Sequence, residues 1–470
     1  MFEFLDRQKP DLKDLVGALR KEFAYASVLA IANDDRSWRV ARSGVNIGTK
    51  AMTGGTGYVV RVFDGTGCAE YSFNEFDRER IPEIVEKLKV KSRQQRELLP
   101  DEIGNLPTPL PQDEPAVLKL ETPFRVDPRA LGDEEILRQL TAIREQGLRK
   151  PEILDVMVNV SYKRARQIFL SEHRDLDQTL MHTSGSIVAL ARKGQEIKRS
   201  YRPFSNLGGA EVLEAMKTGV DDVTRVACEL LSSEPMPPGE YECVCTPEVT
   251  GMIVHEAFGH GVEMDMFVKD RAQAASFLGL PVASPLVTMH DGSAVDEVAT
   301  FLFDEEGTLA QDTVIIDRGI LKGGMCDSLS AARLGVSPTG NGRRESFERK
   351  AYTRMTNTYF EAGDSTLEEM IASVKDGILL EEPSSGMEDP KNWGIQCMVN
   401  IAREIKDGRL TGRIFSPVVL TGYVPDLLKS VSMMGRVTEL SGSGHCGKGY
   451  KEWVKVSDGG PAMKARIRLG

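Results

Sequence analysis

The stretch TPEVTGMIVHEAFGH, Thr246 to His260, decides how the rest of this chain is read. A strand-like run from Tyr241 to Cys245 stops at Thr246, a good N-cap residue, and Pro247 takes the first helical position, where a missing N–H does no harm. The pattern predicts a helix carrying His255, Glu256 and His260: two imidazoles of the kind zinc prefers, beside a carboxylate able to activate a metal-bound water. On a regular helix residues i and i+5 point about 140° apart, too far for both histidines to face one ion. A π-type turn brings them back to about 50°, and such turns gather at functional sites. Gly259 and Gly261 flank the second histidine and make that distortion inexpensive. The bland alternative puts His255 on a core face and leaves His260 solvated at a helix end.

The 470 residues suffice for two or three domains with a large core. A formal net charge of −11 argues against binding phosphate backbones, so no nucleic-acid partner is expected. Asp6 and Lys9 interrupt what would have to be the apolar core of a signal peptide, and no apolar run long enough to span a bilayer follows. The expectation is a cytoplasmic protein with no membrane association. The 7 cysteines are scattered without a CxxC pair, which argues against a disulfide framework. Cys243 and Cys245, two apart in a strand, share a face and read as packing residues.

Working outward, residues 11–25 read as an amphipathic helix and Ala24 to Ala32 as a buried strand. Two further runs join at Asp64-Gly65-Thr66-Gly67, a hairpin turn. Residues 1–100 form an N-terminal α+β domain, and 101–130, rich in proline, an extended connector or wrapping segment. Residues 131–234 are a middle α+β region packing with the first domain. Pro235-Met236-Pro237-Pro238-Gly239 opens the C-terminal catalytic domain, 235–470, where strands dominate. Hairpins are expected around Asp317-Arg318-Gly319, Asp407-Gly408 and Asp458-Gly459-Gly460, with short helices at about 365–376 and 424–431. The fold class is α+β: α/β-type N-terminal units, then a curved or barrel-like sheet packed around the HExxxH helix.

A catalytic zinc usually has three protein ligands, so two histidines leave one to find. The candidates are His290, His445, Cys326, Cys397, Cys446, Glu263, Asp265 and Asp304. Ser441-Gly442-Ser443-Gly444-His445-Cys446-Gly447-Lys448-Gly449 stands out, because its glycines let the backbone come close to an ion or peptide and Lys448 would favour the Cys446 thiolate. Arg343, Arg344 and Arg354 are candidates to orient a substrate carboxylate or backbone, or else form structural ion pairs. His445 is a candidate oxyanion donor and substrate contact.

HEAFGH, the acidic turn Phe303 to Thr308, the run Asn341 to Ser346 with Arg354 to Tyr359, and Gly444-His445-Cys446-Gly447-Lys448 occur in an order that resembles the TldD/PmbA family of zinc peptidases. The early run GTGYVVRVFDGTGCAEYS resembles that family's N-terminal domain, so the likeness covers nearly the whole chain. The resemblance implies that His255, His260 and Cys446 hold one Zn2+ per chain and that Glu256 is the general base. It implies a peptidase acting on peptides or unfolded protein segments in an enclosed cavity, as a homodimer or as a heterodimer with an inactive relative. A peptide-binding or partner-stabilising subunit with a structural zinc is the alternative. This chain departs from the family pattern after Lys448, where it reads Gly449-Tyr450-Lys451, and before Arg354, where an expected proline is absent. Neither departure touches a proposed ligand.

Overall fold

The alternating runs between residues 25 and 207 assemble into one eight-stranded sheet. The computed structural model describes residues 2–49, 55–98, 113–293, 295, 297–442, 444–449 and 451–470; Ser443, Tyr450 and connector residues 101–112 lie outside the described residues. Three long antiparallel strands form the spine of the sheet: Tyr25–Ala41, Ile153–Leu170 and Arg174–Lys193. Gly57–Phe63 and Cys68–Phe73 extend one side, and Glu196–Leu207 pairs with Arg174–Lys193 on the other. Within the connector, Ala116–Glu121 is itself a strand, parallel to the start of Arg174–Lys193. Strands from both sides of the connector therefore share this sheet.

Helices cover it in two places. The first runs Glu3–Arg20 rather than 11–25, because Leu5 and Leu12 carry its buried stripe across Pro10 to Leu15, Val16 and Leu19. It packs beside Ile81–Leu98 over one stretch of the sheet, while Pro128–Gly147 and Val212–Glu229 cover another.

In the second half, Gly239–Cys245 pairs antiparallel with Met463–Leu469, which pairs with Val418–Tyr423, then Gly394–Lys406, then Asp376–Asp389. Asp376–Asp389 returns to Gly239–Cys245 in parallel, closing a five-stranded barrel with no free edge in the ring. Asp407 and Gly408, both left-handed with φ of 46° and 74°, make the tight turn that leads from Gly394–Lys406 into Arg409–Phe415. Arg318 and Gly319 do the same between Asp312–Asp317 and Ile320–Leu321. Cys243 and Cys245 face the core, where burial pushes the Cys245 thiol up to about 12.

One expected hairpin does not form. Ser457–Gly460 joins a separate six-stranded sheet, parallel to Asn357–Phe360 and antiparallel to Glu439–Ser441. Any side chain at Gly459 would collide with the Glu439 carbonyl, so glycine there serves close strand approach rather than a turn. After Pro461 the chain crosses into the barrel as Met463–Leu469.

Candidate metal centre

Strand Gly239–Cys245 feeds directly into the helix Pro247–Ile253, whose residues Val249, Met252 and Ile253 join the core with Leu380, Ile395 and Leu420 of the barrel. The backbone of Thr246 has N-cap geometry, but its buried hydroxyl makes no hydrogen bond, so the expected side-chain cap is absent. The next turn, Val254–Gly259, is π-helical, and His260–Val262 tightens into a 3-10 turn. That widened turn brings the two imidazole rings to 5.1 Å between centroids and nearly perpendicular, at 88°. Gly259 has φ of −57°, which any residue adopts. Its lack of a side chain makes room for Met355 Sδ, and Gly261 makes room for Glu388. Close approach, not backbone freedom, is what these glycines supply.

Cys446 arrives on His445–Lys448, a short strand paired with Lys451–Lys455. Its Sγ lies 3.2 Å from His255 Nε2 and 3.3 Å from His260 Nε2, and the three donor atoms fall within 4.8 Å of one another. Burial raises the Cys446 thiol, but the two imidazoles outweigh it and hold its pKa well below the ordinary value. Burial works the other way on His255, yet the neighbouring sulfur raises its pKa to about 9. The three side chains therefore gather positive charge around an anionic sulfur, as a bound divalent ion would supply. Two imidazoles and a thiolate are a donor set that zinc takes up readily, so the residues present fit that ion.

A ring of charge surrounds these donors. Glu263, fully buried, faces His260 Nδ1 at 3.4 Å, accepts from Arg354 Nε at 3.1 Å and pairs with Lys448 at 3.2 Å. Burial raises its carboxyl, but Lys448 and Arg354 outweigh that and hold it well below the carboxylate range. A carboxylate on the far nitrogen of a histidine fixes ring orientation and tautomer, the arrangement usual around metal-ligating imidazoles. Arg354 Nη2 donates to Cys446 Sγ at 2.9 Å, and Arg354 also donates to the Glu452 carbonyl. The thiolate is thus held by Arg354 and the imidazoles. Lys448, expected to do this, is engaged instead by Glu263 and Asp265, the latter at 2.6 Å.

Three of the other third-ligand candidates are occupied elsewhere. Cys326 packs on Met264 Sδ, His290 sits between Asp312 and Glu361, and Asp304 accepts backbone N–H groups of its own turn. The arginines offered as substrate contacts are also committed and do not line the cavity. Arg343 donates to the Met355 carbonyl, and Arg344 binds Glu70 and the Arg349 carbonyl. Arg354 is wholly buried behind the sulfur. Arg344 and Arg354, paired with Glu70 and Glu263, read as structural because buried guanidinium groups persist when paired.

Glu256, His255, His260, His445 and Cys446 line one cavity of about 1620 Å³ between the large sheet and the barrel. Its other walls include Tyr201 to Asn206, helix Val212–Glu229 and Glu381 to Glu388, and acidic side chains outnumber lysine and arginine along it. Two acids there had no local signal in the sequence. Burial pushes Asp458 up to about 6 and raises Glu388 well above its ordinary value. Glu263, by contrast, stands three residues after His260, a spacing that puts it within reach on a helical turn.

Residues 238–466 match the PmbA/TldA metallopeptidase C-terminal domain. A metalloprotease of Methanothermobacter thermautotrophicus is 32% identical over 282 residues, covering 59% of this chain and 61% of that protein. This chain thus spans less than two thirds of that relative's length. A zinc metalloprotease TldD homolog of Saccharolobus solfataricus is 28% identical over 310 residues, covering 65% of this chain and 68% of that protein. In fold, the chain resembles the crystal structure of a putative modulator of a DNA gyrase from Thermotoga maritima, with a TM-score of 0.79, 14% identity, and coverage of 98% of this chain and 100% of the other. The C-terminal half of this chain, residues 238–466, thus carries the PmbA/TldA metallopeptidase C-terminal domain.

Proposed function

We propose that this chain is a zinc-dependent peptidase acting in the cytoplasm on peptides or unfolded protein segments. His255, His260 and Cys446 would hold one zinc ion, and Glu256 would be the general base. The observation that carries the reading is the convergence of three donor atoms within 4.8 Å on a cavity wall that Glu256 shares. When bound, zinc supplies Lewis acidity that makes water nucleophilic near neutral pH.

The protein's own residues do the rest. Glu256, half-buried, takes the proton of the attacking water and passes it to the leaving amine. Gly386 lets strand Asp376–Asp389 lie directly against the Glu256 side chain, which restricts where its carboxylate can point. Glu263 orients His260, and Arg354 holds the charge on Cys446. The cavity exceeds the roughly 300–1,000 Å³ usual for small-molecule pockets, room for an extended chain but not a folded domain. A subunit with a purely structural zinc would have no use for a carboxylate on that wall beside a ligand. We further expect a dimer, of two such chains or with an inactive relative.

The test is metal analysis beside cleavage of an unstructured peptide. Wild type should carry about one zinc per chain and cleave; Glu256→Gln should keep the zinc and lose cleavage by about 100-fold or more. Equal cleavage by the two proteins would remove Glu256 from the mechanism.

A further inference from the structure

The hairpin that delivers Cys446 carries an aromatic ring on its other face. Strand His445–Lys448 pairs with Lys451–Lys455 so that Cys446 stands opposite Val454 and Lys448 opposite Lys451, which leaves Gly447 facing two residues, Glu452 and Trp453, in a bulge. Glu452 is left-handed there, with φ of 60°, a conformation rare for a residue with a side chain. Two contacts hold it: its N–H donates to Glu345 Oε2 at 2.9 Å, and its carbonyl accepts from Arg354. Lys448 ties one strand of the hairpin to Asp265 at 2.6 Å, and Lys455 ties the other to Ser184 of the large sheet at 3.1 Å. Glu452 and Val454 are 5% and 4% exposed, whereas Trp453 between them turns the other way and lines the cavity at 36%.

The indole rests on Gly447, where a side chain would lie 3.1 Å from ring atoms Cη2 and Cζ3. Gly447 directly follows Cys446, and successive Cα atoms are about 3.8 Å apart, so the ring stands about one residue from the metal centre along the wall. Trp38 and Trp393, the others of the 3 tryptophans, are 3% and 0% exposed and pack on neighbouring rings. Trp453 has no ring contact and no partner for its indole N–H among the described residues. A large ring left bare on a braced strand, inside a cavity instead of on the outer surface, gains most when a flat or bulky apolar side chain covers it. Half-buried Met266 lines the same cavity from the helix Asp265–Val268, to which Lys448 ties the hairpin, and adds polarizable surface. We propose that Trp453 is the platform of a subsite beside the metal centre, and that it selects peptides with an aromatic or large apolar side chain flanking the bond cleaved. This inference rests on the peptidase reading above. The bulge at Glu452 then serves recognition, because it turns the ring out of the wall and into the substrate's path.

The probes are short unstructured peptides, labelled at one end, blocked at the other and identical except for one central residue, Phe or Ala. Their binding to full-length, zinc-loaded Glu256→Gln protein is read by fluorescence anisotropy. The Phe peptide should bind about tenfold tighter than the Ala peptide. Trp453→Ala in the same background should erase that difference, and Trp453→Phe should keep most of it. A difference that survives Trp453→Ala overturns the proposal, and so does a loss equal for both peptides. Should Trp453→Ala fail to fold, the unaltered tryptophans decide: acrylamide quenches the exposed indole and spares buried Trp38 and Trp393, and unlabelled Phe peptide should shield it where Ala peptide at equal occupancy does not. A bound Phe peptide that gives no shielding overturns the proposal as well. Cleavage by wild type separates this inference from the one beneath it. Cutting that shows no preference for the bonds flanking Phe overturns the subsite and leaves the peptidase reading standing. Failure to cut either peptide while the binding preference holds overturns the peptidase reading and leaves Trp453 as a peptide contact.

Discussion

A fully buried guanidinium donates to the sulfur of Cys446, and the cost of deleting it is set by what it leaves behind. Arg354→Met would take one buried partner from both Glu263 and the Cys446 thiolate, leaving them Lys448 and the imidazoles, so unfolding by urea in metal-free protein should show a loss of about 1–3 kcal/mol. Arg354→Lys should recover only part, because one ammonium cannot span the Glu263 carboxylate, the sulfur and the Glu452 carbonyl together. At this scale the donors were legible because imidazole, thiol and carboxylate have few uses in such a spacing. The arginines were not, since the same side chain serves equally as substrate clamp or buried strut. Glu388 left no trace at all, its burial arising only where strand Asp376–Asp389 meets Gly261.

The turn from Val254 to Gly259 shows how one element carries the site. Its extra width was readable from the five-residue interval between the histidines, which no regular helix accommodates. What the glycines do was not, because Gly259 adopts an ordinary helical conformation and is small for the sake of Met355. Gly259→Ala should therefore destabilise by about 1–3 kcal/mol through overpacking. Combined with Met355→Ala, much of that penalty should vanish, and a double-mutant cycle in denaturant reads the coupling. A cycle showing no coupling would return the glycine to a role in backbone flexibility. The same limit explains the missing hairpin at Asp458: Gly459 and Gly460 resemble a turn in sequence, yet a neighbouring strand rather than a reversal takes up the space.

At the scale of the molecule, the large sheet and the C-terminal half are tied by buried charges. Arg61 on the sheet pairs with Glu306 at 2.5 Å, Arg344 reaches back to Glu70 at 2.5 Å, and Ser200 donates to Glu382 at 3.0 Å across the cavity. Burial pushes Glu382 from 4.5 up to about 7, so the folded state holds its proton more tightly than the unfolded chain. Its contribution to stability is full below about pH 4.5 and is lost as pH rises through about 7, a change on the order of 3 kcal/mol. Glu382→Gln should remove that dependence, so the variant should gain on wild type between pH 4.5 and 8 in paired urea titrations; parallel curves would show that Glu382 does not titrate in this window. The α+β layout was readable from alternation and turn residues, whereas the joining of strands on both sides of the connector into one sheet depends on contacts too distant in sequence to read. Closure of the barrel has a consequence in time. Met463–Leu469 lies between Gly239–Cys245 and Val418–Tyr423, and Cys446 trails His255 by 191 positions. A ribosome that has released only the first three hundred residues has made both histidines but neither the sulfur nor the strand that shuts the ring. The emerging polypeptide cannot assemble the complete donor set at that stage, and the three side chains can meet only after synthesis has passed Cys446.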